Sequence, residues 1–149
     1  MKQDFYSYKF DNQRLEFEFE SISQEKTIRK IIAYTPLSKN SDMYNLALGD
    51  FLDNGEVSDL TVSNNADMEK VIATVVQTIF IFFEQQPNSL IYLKGSTVER
   101  TRLYRIVISK ELFEAQKLFD LYGELDNQFE VFVPNRSYQA FVIGLKLIK

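Results

Sequence analysis

Leu15, Phe17 and Phe19 alternate with Glu16, Glu18 and Glu20. A period of two puts the apolar side chains on one face of a strand and the glutamates on the other. Lys26 to Tyr34 is rich in Ile and alternates less cleanly, and the polar stretch Ser21 to Glu25 separates the two strands as a turn. Pairing them as a hairpin brings Arg29 beside Glu18, which relieves a ladder of like charges. Pro36 cannot donate to a sheet ladder and closes the second strand. Tyr44 to Leu52 and Glu56 to Val62 predict another hairpin around Asp53-Asn54-Gly55, because Asn-Gly tolerates the positive φ of a tight turn.

The period changes at Met68. Apolar residues at 71, 72, 75, 76, 79, 80 and 83, with Phe82 beside them, cover about half of a helix circumference at ~100° per residue. This predicts a helix of about twenty residues over the apolar face of the sheet, with Phe80 in the core. Asn65 is its expected N-cap, Asp67 and Glu69 favour its positive end, and Pro87-Asn88 stops it. Ile81 points away from that face, beside Thr74, Gln77 and Thr78. It is either a stray apolar residue or the mark of a second buried side, against other chain segments or a partner subunit.

Ser89 to Lys94 reads as a short strand broken by Gly95. Ser96-Thr97-Val98-Glu99 has the S-x-x-E form of a capping box and starts a second helix, which runs to about Ser109 and restarts through Glu111 to Gln116. Leu118 to Tyr122, Phe129 to Val133 and Tyr138 to Leu147 return to strands, with Gly123 to Asn127 as a turn. The order predicts an α+β fold in one domain, residues 1–149. A mainly antiparallel sheet of hairpins would carry one long amphipathic helix and a second, shorter helix on one face.

Composition removes more functions than it suggests. The 149 residues include no His and no Cys. That excludes a Ser-His-Asp triad, a His base, a disulfide frame and a thiolate or imidazole metal site. Chemistry would have to come from carboxylates, Lys, Tyr, Ser, Thr or Arg, and no phosphate-binding Gly-rich loop is present. An enzyme, such as a nuclease working without His, is therefore the weakest reading, and no cofactor is expected. Asp50 to Asp59 invites a calcium loop with Gly55 at position 6, but Leu52 and Thr61 stand where oxygen ligands belong, so no metal is expected there. The start MKQDFYSYKF lacks the apolar stretch of a signal peptide, and the longest apolar run, Ile79 to Phe83, is far short of the ~20 residues of a membrane span. The expectation is a cytoplasmic protein with no membrane partner. A net charge of −4 disfavours a surface given over to nucleic acid.

Against that acidity, Lys94, Arg100, Arg102, Arg105 and Lys110 stand together with Glu99 as the only acid among them. A strand, a glycine and a helix start would aim free backbone N–H groups outward, and Arg binds phosphate or carboxylate in bidentate fashion. Ser96, Thr97, Arg102, Arg105 and Lys94 are thus the candidate anion-binding residues. Arg102 and Arg105, three apart, share a helix face. The plainer account is a capped helix whose arginines are solvated or pair with acidic strands. Arg100 projects to the apolar side, where a charge needs a carboxylate, and Asp50 or Asp59 is the candidate partner; snorkelling to water is the alternative. Asn64-Asn65 reads as a turn and cap, and most of the thirteen Phe sit at inward positions, as core rather than as a base-stacking surface.

Three segments carry a resemblance. Tyr44 to Asp50 (YNLALGD), Ser63 to Val75 (SNNADMEKVIATV) and Gly95 to Arg105 (GSTVERTRLYR) resemble the Y-N-L-x-x-G-D, S-N-N-x-D-x-x-K-V-x-A-T-V and G-S-T-x-x-R-T-R-L-Y-R segments of an uncharacterised family of short bacterial proteins. Tyr138, Ala140 and Phe141 resemble its ending. The resemblance implies a bacterial cytoplasmic protein of one domain and no particular activity. Two functional classes follow. One is a non-catalytic binding or regulatory module acting through contacts with an unidentified protein partner or with itself as a homodimer. The other binds nucleic acid or a phosphate ligand through the arginine helix. A concave patch of Lys94, Arg102 and Arg105 would favour the second; arginines consumed by acidic neighbours would favour the first.

Overall fold

A computed structural model of the chain describes residues 4–22, 26–51, 54, 57–58, 67–95, 97–109 and 118–146. The strands are β1 (Lys9–Asp11), β2 (Glu16–Ile22), β3 (Thr27–Pro36), β4 (Met43–Phe51), β5 (Val57–Ser58), β6 (Leu90–Leu93), β7 (Phe119–Leu125), β8 (Gln128–Val131) and β9 (Ala140–Leu145). The helices are α1 (Met68–Gln85) and α2 (Val98–Val107). All strands join one sheet in the order β1-β2-β3-β4-β6-β9-β7-β8, with β5 paired to β4 off that path.

The alternation in β2 orients it as expected. Phe17 and Phe19 are buried and Glu18 and Glu20 face water. The register sets Arg29 opposite Glu20, yet its guanidinium reaches diagonally to Glu18, 2.9 Å from Oε1. β3 ends at Pro36, and β5 pairs β4 antiparallel, although most of the turn between them lies outside the described residues.

The expected fold class is corrected. Among the described residues strand accounts for 44% and helix for 23%, so the architecture there is sheet-dominated, with two short helices. The sheet is mixed rather than a set of hairpins, because β6 runs parallel to β4, with Met43 opposite Leu90 and Leu46 opposite Leu93. Two parallel neighbours need a crossover, and α1 lies on the chain path between them.

Nor is α1 an amphipathic helix with one wet side. Val71 to Val76, Thr78, Ile79, Phe82 and Phe83 are all buried, which is more than one stripe. Phe82 stacks on Tyr34 at 4.5 Å, and Phe83 meets Phe119. The side bearing Thr74 and Thr78 is covered by the chain itself: Thr74 Oγ1 accepts the Tyr6 N–H (2.9 Å), and Thr78 shares a hydrogen bond with Tyr34 (2.8 Å). Ile81 packs half-buried against the same core. Phe80, expected in the core, is instead 36% exposed and touches Phe119 edge-on. The cap also differs. Asn65 lies outside the described residues, and Asp67 occupies the N-cap position without a capping bond. Its carboxylate instead accepts the hydroxyls of Tyr6 and Ser21, tying the N-terminal segment and β2 to the helix start.

The uneven alternation of β3 has a specific cause. Lys30 takes an inward position between Ile28 and Ile32 and is fully buried, with Asp50 directly opposite on β4. Lys30 Nζ lies 2.5 Å from Asp50 Oδ1. Lys30 pairs with Asp50 from the neighbouring strand, where sheet register brings the two together. The expected pairing of Arg100 with Asp50 or Asp59 falls on the Arg100 side chain and on Asp59, which lie outside the described residues.

Candidate functional site: a charged cleft beside the second helix

Leu93 is the last residue of β6, and the chain turns at Lys94-Gly95 into α2. Thr101 fastens that turn. Its hydroxyl oxygen accepts the Gly95 N–H (3.0 Å) and donates to the Thr97 carbonyl (3.0 Å). The Thr101 N–H also bonds to the Thr97 carbonyl, so helical bonding begins at Thr97. Tyr104 and Ile108 anchor α2 in the core, which leaves Arg102 exposed and Arg105 half-buried. Ser96 lies outside the described residues, so its proposed share in a cap or a site has no described geometry.

Opposite α2, β7 and β8 end in a two-residue turn. Asp126 and Asn127 both have positive φ (51° and 66°), the geometry of a tight hairpin in which short polar residues tolerate the left-handed region. The turn expected over Gly123 to Asn127 is thus confined to its last two residues; Gly123 lies inside β7, packed beneath the Tyr138 ring. The hairpin is fixed to the segment entering β9. The Gln139 N–H bonds to the Glu124 carbonyl (2.8 Å), and Gln139 Oε1 accepts the Asp126 N–H (2.9 Å).

Between these elements lies a cleft of ≈ 890 Å³. Lys94 and Thr97 line it from the turn between β6 and α2, Arg102 and Arg105 from α2, and Glu124 and Asp126 from the hairpin. Four of the five expected anion-site residues therefore meet in one place. Among the described residues, none of the three cations is held in an ion pair. Arg105 Nη1 donates to the Arg136 carbonyl (3.3 Å), which steadies the guanidinium without neutralising it. Glu124 receives the Tyr92 hydroxyl at 3.0 Å on Oε1. Burial, then this hydrogen bond and the carboxylate charge, push the Tyr92 phenol up to about 12. Behind the hairpin, Tyr138 donates to Glu130 (2.8 Å) and accepts the Val133 N–H (3.0 Å), and its phenol is raised by burial and by that carboxylate.

Glu124 and Asp126 were not among the residues expected from sequence. They arrive by tertiary juxtaposition, and the only local signal was the turn itself. Chemically, the cleft offers acceptors on one wall and cations on the other, with no described cluster of acids able to hold a metal.

A family model matches residues 2–146. The chain belongs to DUF6934, a family of unknown function. For this DUF6934 chain, no curated protein and no solved structure gives a match. No described helix is long and apolar enough to cross a membrane.

Proposed function

We propose that this protein binds a small phosphate-bearing ligand in the cleft beside α2. The observation that carries this reading is the convergence of Lys94, Arg102 and Arg105 on one cleft, with none of them held by a carboxylate among the described residues. Two guanidiniums and an ammonium match a phosphate in charge and donor number, and Arg supplies paired N–H groups in a planar fork. Side chains on a helix lean towards its N-terminus, which brings Arg102 and Arg105 back over the Thr97 end. The volume falls in the range of small-molecule sites, about 300–1,000 Å³.

A long nucleic acid is the poorer occupant. Glu124 and Asp126 form the facing wall, and a polyanion crossing the cleft would meet their like charge. Titrating inorganic phosphate into labelled protein and following backbone amide shifts tests the reading. Shifts should cluster at residues 94–105 and saturate; scattered, linear shifts would refute it.

The other reading, contact with a second copy of the chain, has one observation in its favour. Among the described residues β8 is one of the two end strands of the sheet, and Phe129 and Val131 on it and Val133 just beyond it are exposed. An end strand offers unpaired backbone groups to another strand. Sedimentation at high micromolar concentration tests it: a monomer would remove this reading.

A further inference from the structure

We propose that the ligand of the cleft is dipolar, with its phosphate held by the cationic wall and an ammonium or amino group held by Glu124 and Asp126. This rests on the phosphate reading and goes beyond it, because it is the acidic wall that selects among phosphates. An ionised carboxylate only accepts hydrogen bonds. Glu124 has one oxygen engaged by Tyr92, and its other oxygen is not bonded to Tyr92. The Asp126 backbone N–H is engaged by Gln139, while its carboxylate forms no ion pair among the described residues.

Charges of opposite sign thus face one cleft from elements that are separately braced. The acidic wall is fixed by the two-residue turn, by Gln139 and by Tyr92. The basic wall is fixed by Thr101 and by the core anchors Tyr104 and Ile108. Among the described residues, no ion pair joins the two walls across ≈ 890 Å³. A plain phosphate would satisfy the cations and leave the carboxylates facing its negative charge. An alkyl ammonium alone would do the reverse. A molecule with a phosphate at one end and an ammonium or amino group at the other satisfies both. That chemistry belongs to aminoalkyl phosphates and to nucleoside monophosphates with an exocyclic amino group.

Matched pairs test this by calorimetry on the whole chain. The probes are aminoethyl and aminohexyl phosphate against ethyl and hexyl phosphate, and cytidine monophosphate against uridine monophosphate. The expected result is that the amino member of at least one pair binds about tenfold or more tightly than its match, a readily resolved difference. The pair that discriminates identifies the source of the amino group. The gap should close in Glu124→Gln/Asp126→Asn, because that double change removes the charged acceptors that distinguish the two members of a pair. If the members of every pair bind equally to the parent protein, the dipolar proposal is overturned while the phosphate reading stands. If inorganic phosphate and all of the probes fail to bind, the phosphate reading itself has failed. Should the acidic-wall variant not fold, the comparison within pairs on the parent protein still decides.

Discussion

The ring of Tyr138 lies against the backbone of Gly123: a Cβ built on that glycine would stand 2.2 Å from ring atom Cδ1. The ring cannot swing away cheaply, because its hydroxyl is held by Glu130 and by the Val133 N–H and the ring itself packs against Phe132 and Phe141. Glycine in the middle of a strand usually weakens it, but here it admits an aromatic ring that ties the β7–β8 hairpin to the entry of β9. Gly123→Ala should destabilise the protein by roughly 1–3 kcal/mol, the usual range for overpacking. Denaturant unfolding checks it, and a wild-type midpoint would contradict the packing.

The Lys30–Asp50 pair gives a prediction of opposite sign for one change and for two. Lys30 has no exposure, and among the described residues Asp50 Oδ2 is buried without a hydrogen-bond partner. Asp50→Val alone leaves a buried ammonium without its counter-charge and should cost about 3–5 kcal/mol. Lys30→Met combined with Asp50→Val should recover most of that loss, since replacing a buried pair by apolar groups is often neutral. A double-mutant cycle in urea measures both, and a double variant less stable than the single one would refute this account of the pair.

Phe80 and Phe82 separate what periodicity shows from what it leaves open. Both belong to the apolar pattern of the helix, yet Phe82 is fully buried and Phe80 is 36% exposed. Phe82→Ala should cost about 3–5 kcal/mol, and Phe80→Ala clearly less. Calorimetric unfolding of the two variants compares them directly; equal losses would show that Phe80 is core after all.

Strand alternation in β2, the stop at Pro36 and the turn of period at Met68 were legible because each is a local property of a few residues. The buried Lys30 was legible in part. It interrupts an inward series on β3, and Asp50 follows Leu46 and Leu48 in the inward phase of β4, but their meeting depends on register, which neither strand states alone. The parallel pairing of β4 with β6 was hidden for a related reason. Strand, helix and short apolar strand in succession do signal a crossover, but the antiparallel hairpins at both ends outweighed it. In the cleft, the cations were legible as a run along one segment. Glu124 and Asp126 were not, because they reach the site from about twenty residues further along the chain, through the fold alone.

The Tyr92 phenol is raised from 10.0 to about 12, by burial first and then by Glu124. A raised folded-state value means that the fold favours the neutral phenol. Its contribution to stability is present in full below the unfolded value near 10 and is lost as pH climbs through about 12. Urea midpoints measured across that alkaline window should fall, and fall less steeply in Tyr92→Phe. Some slope should persist in the variant, because the buried Tyr34 phenol is also raised, chiefly by burial. Identical slopes in the two proteins would show that Tyr92 is not linked.

Lys94, Arg102 and Arg105 are proposed to form a binding site rather than a solvated helix face. Calorimetric titration of inorganic phosphate at low ionic strength, on the parent protein and on Arg102→Gln/Arg105→Gln, tests it most directly, with circular dichroism confirming that the variant keeps its fold. Saturable one-site binding to the parent is expected, weakened by about tenfold or more when two charge-assisted contacts are removed. No saturable binding to the parent, or equal binding to a folded double variant, would contradict it.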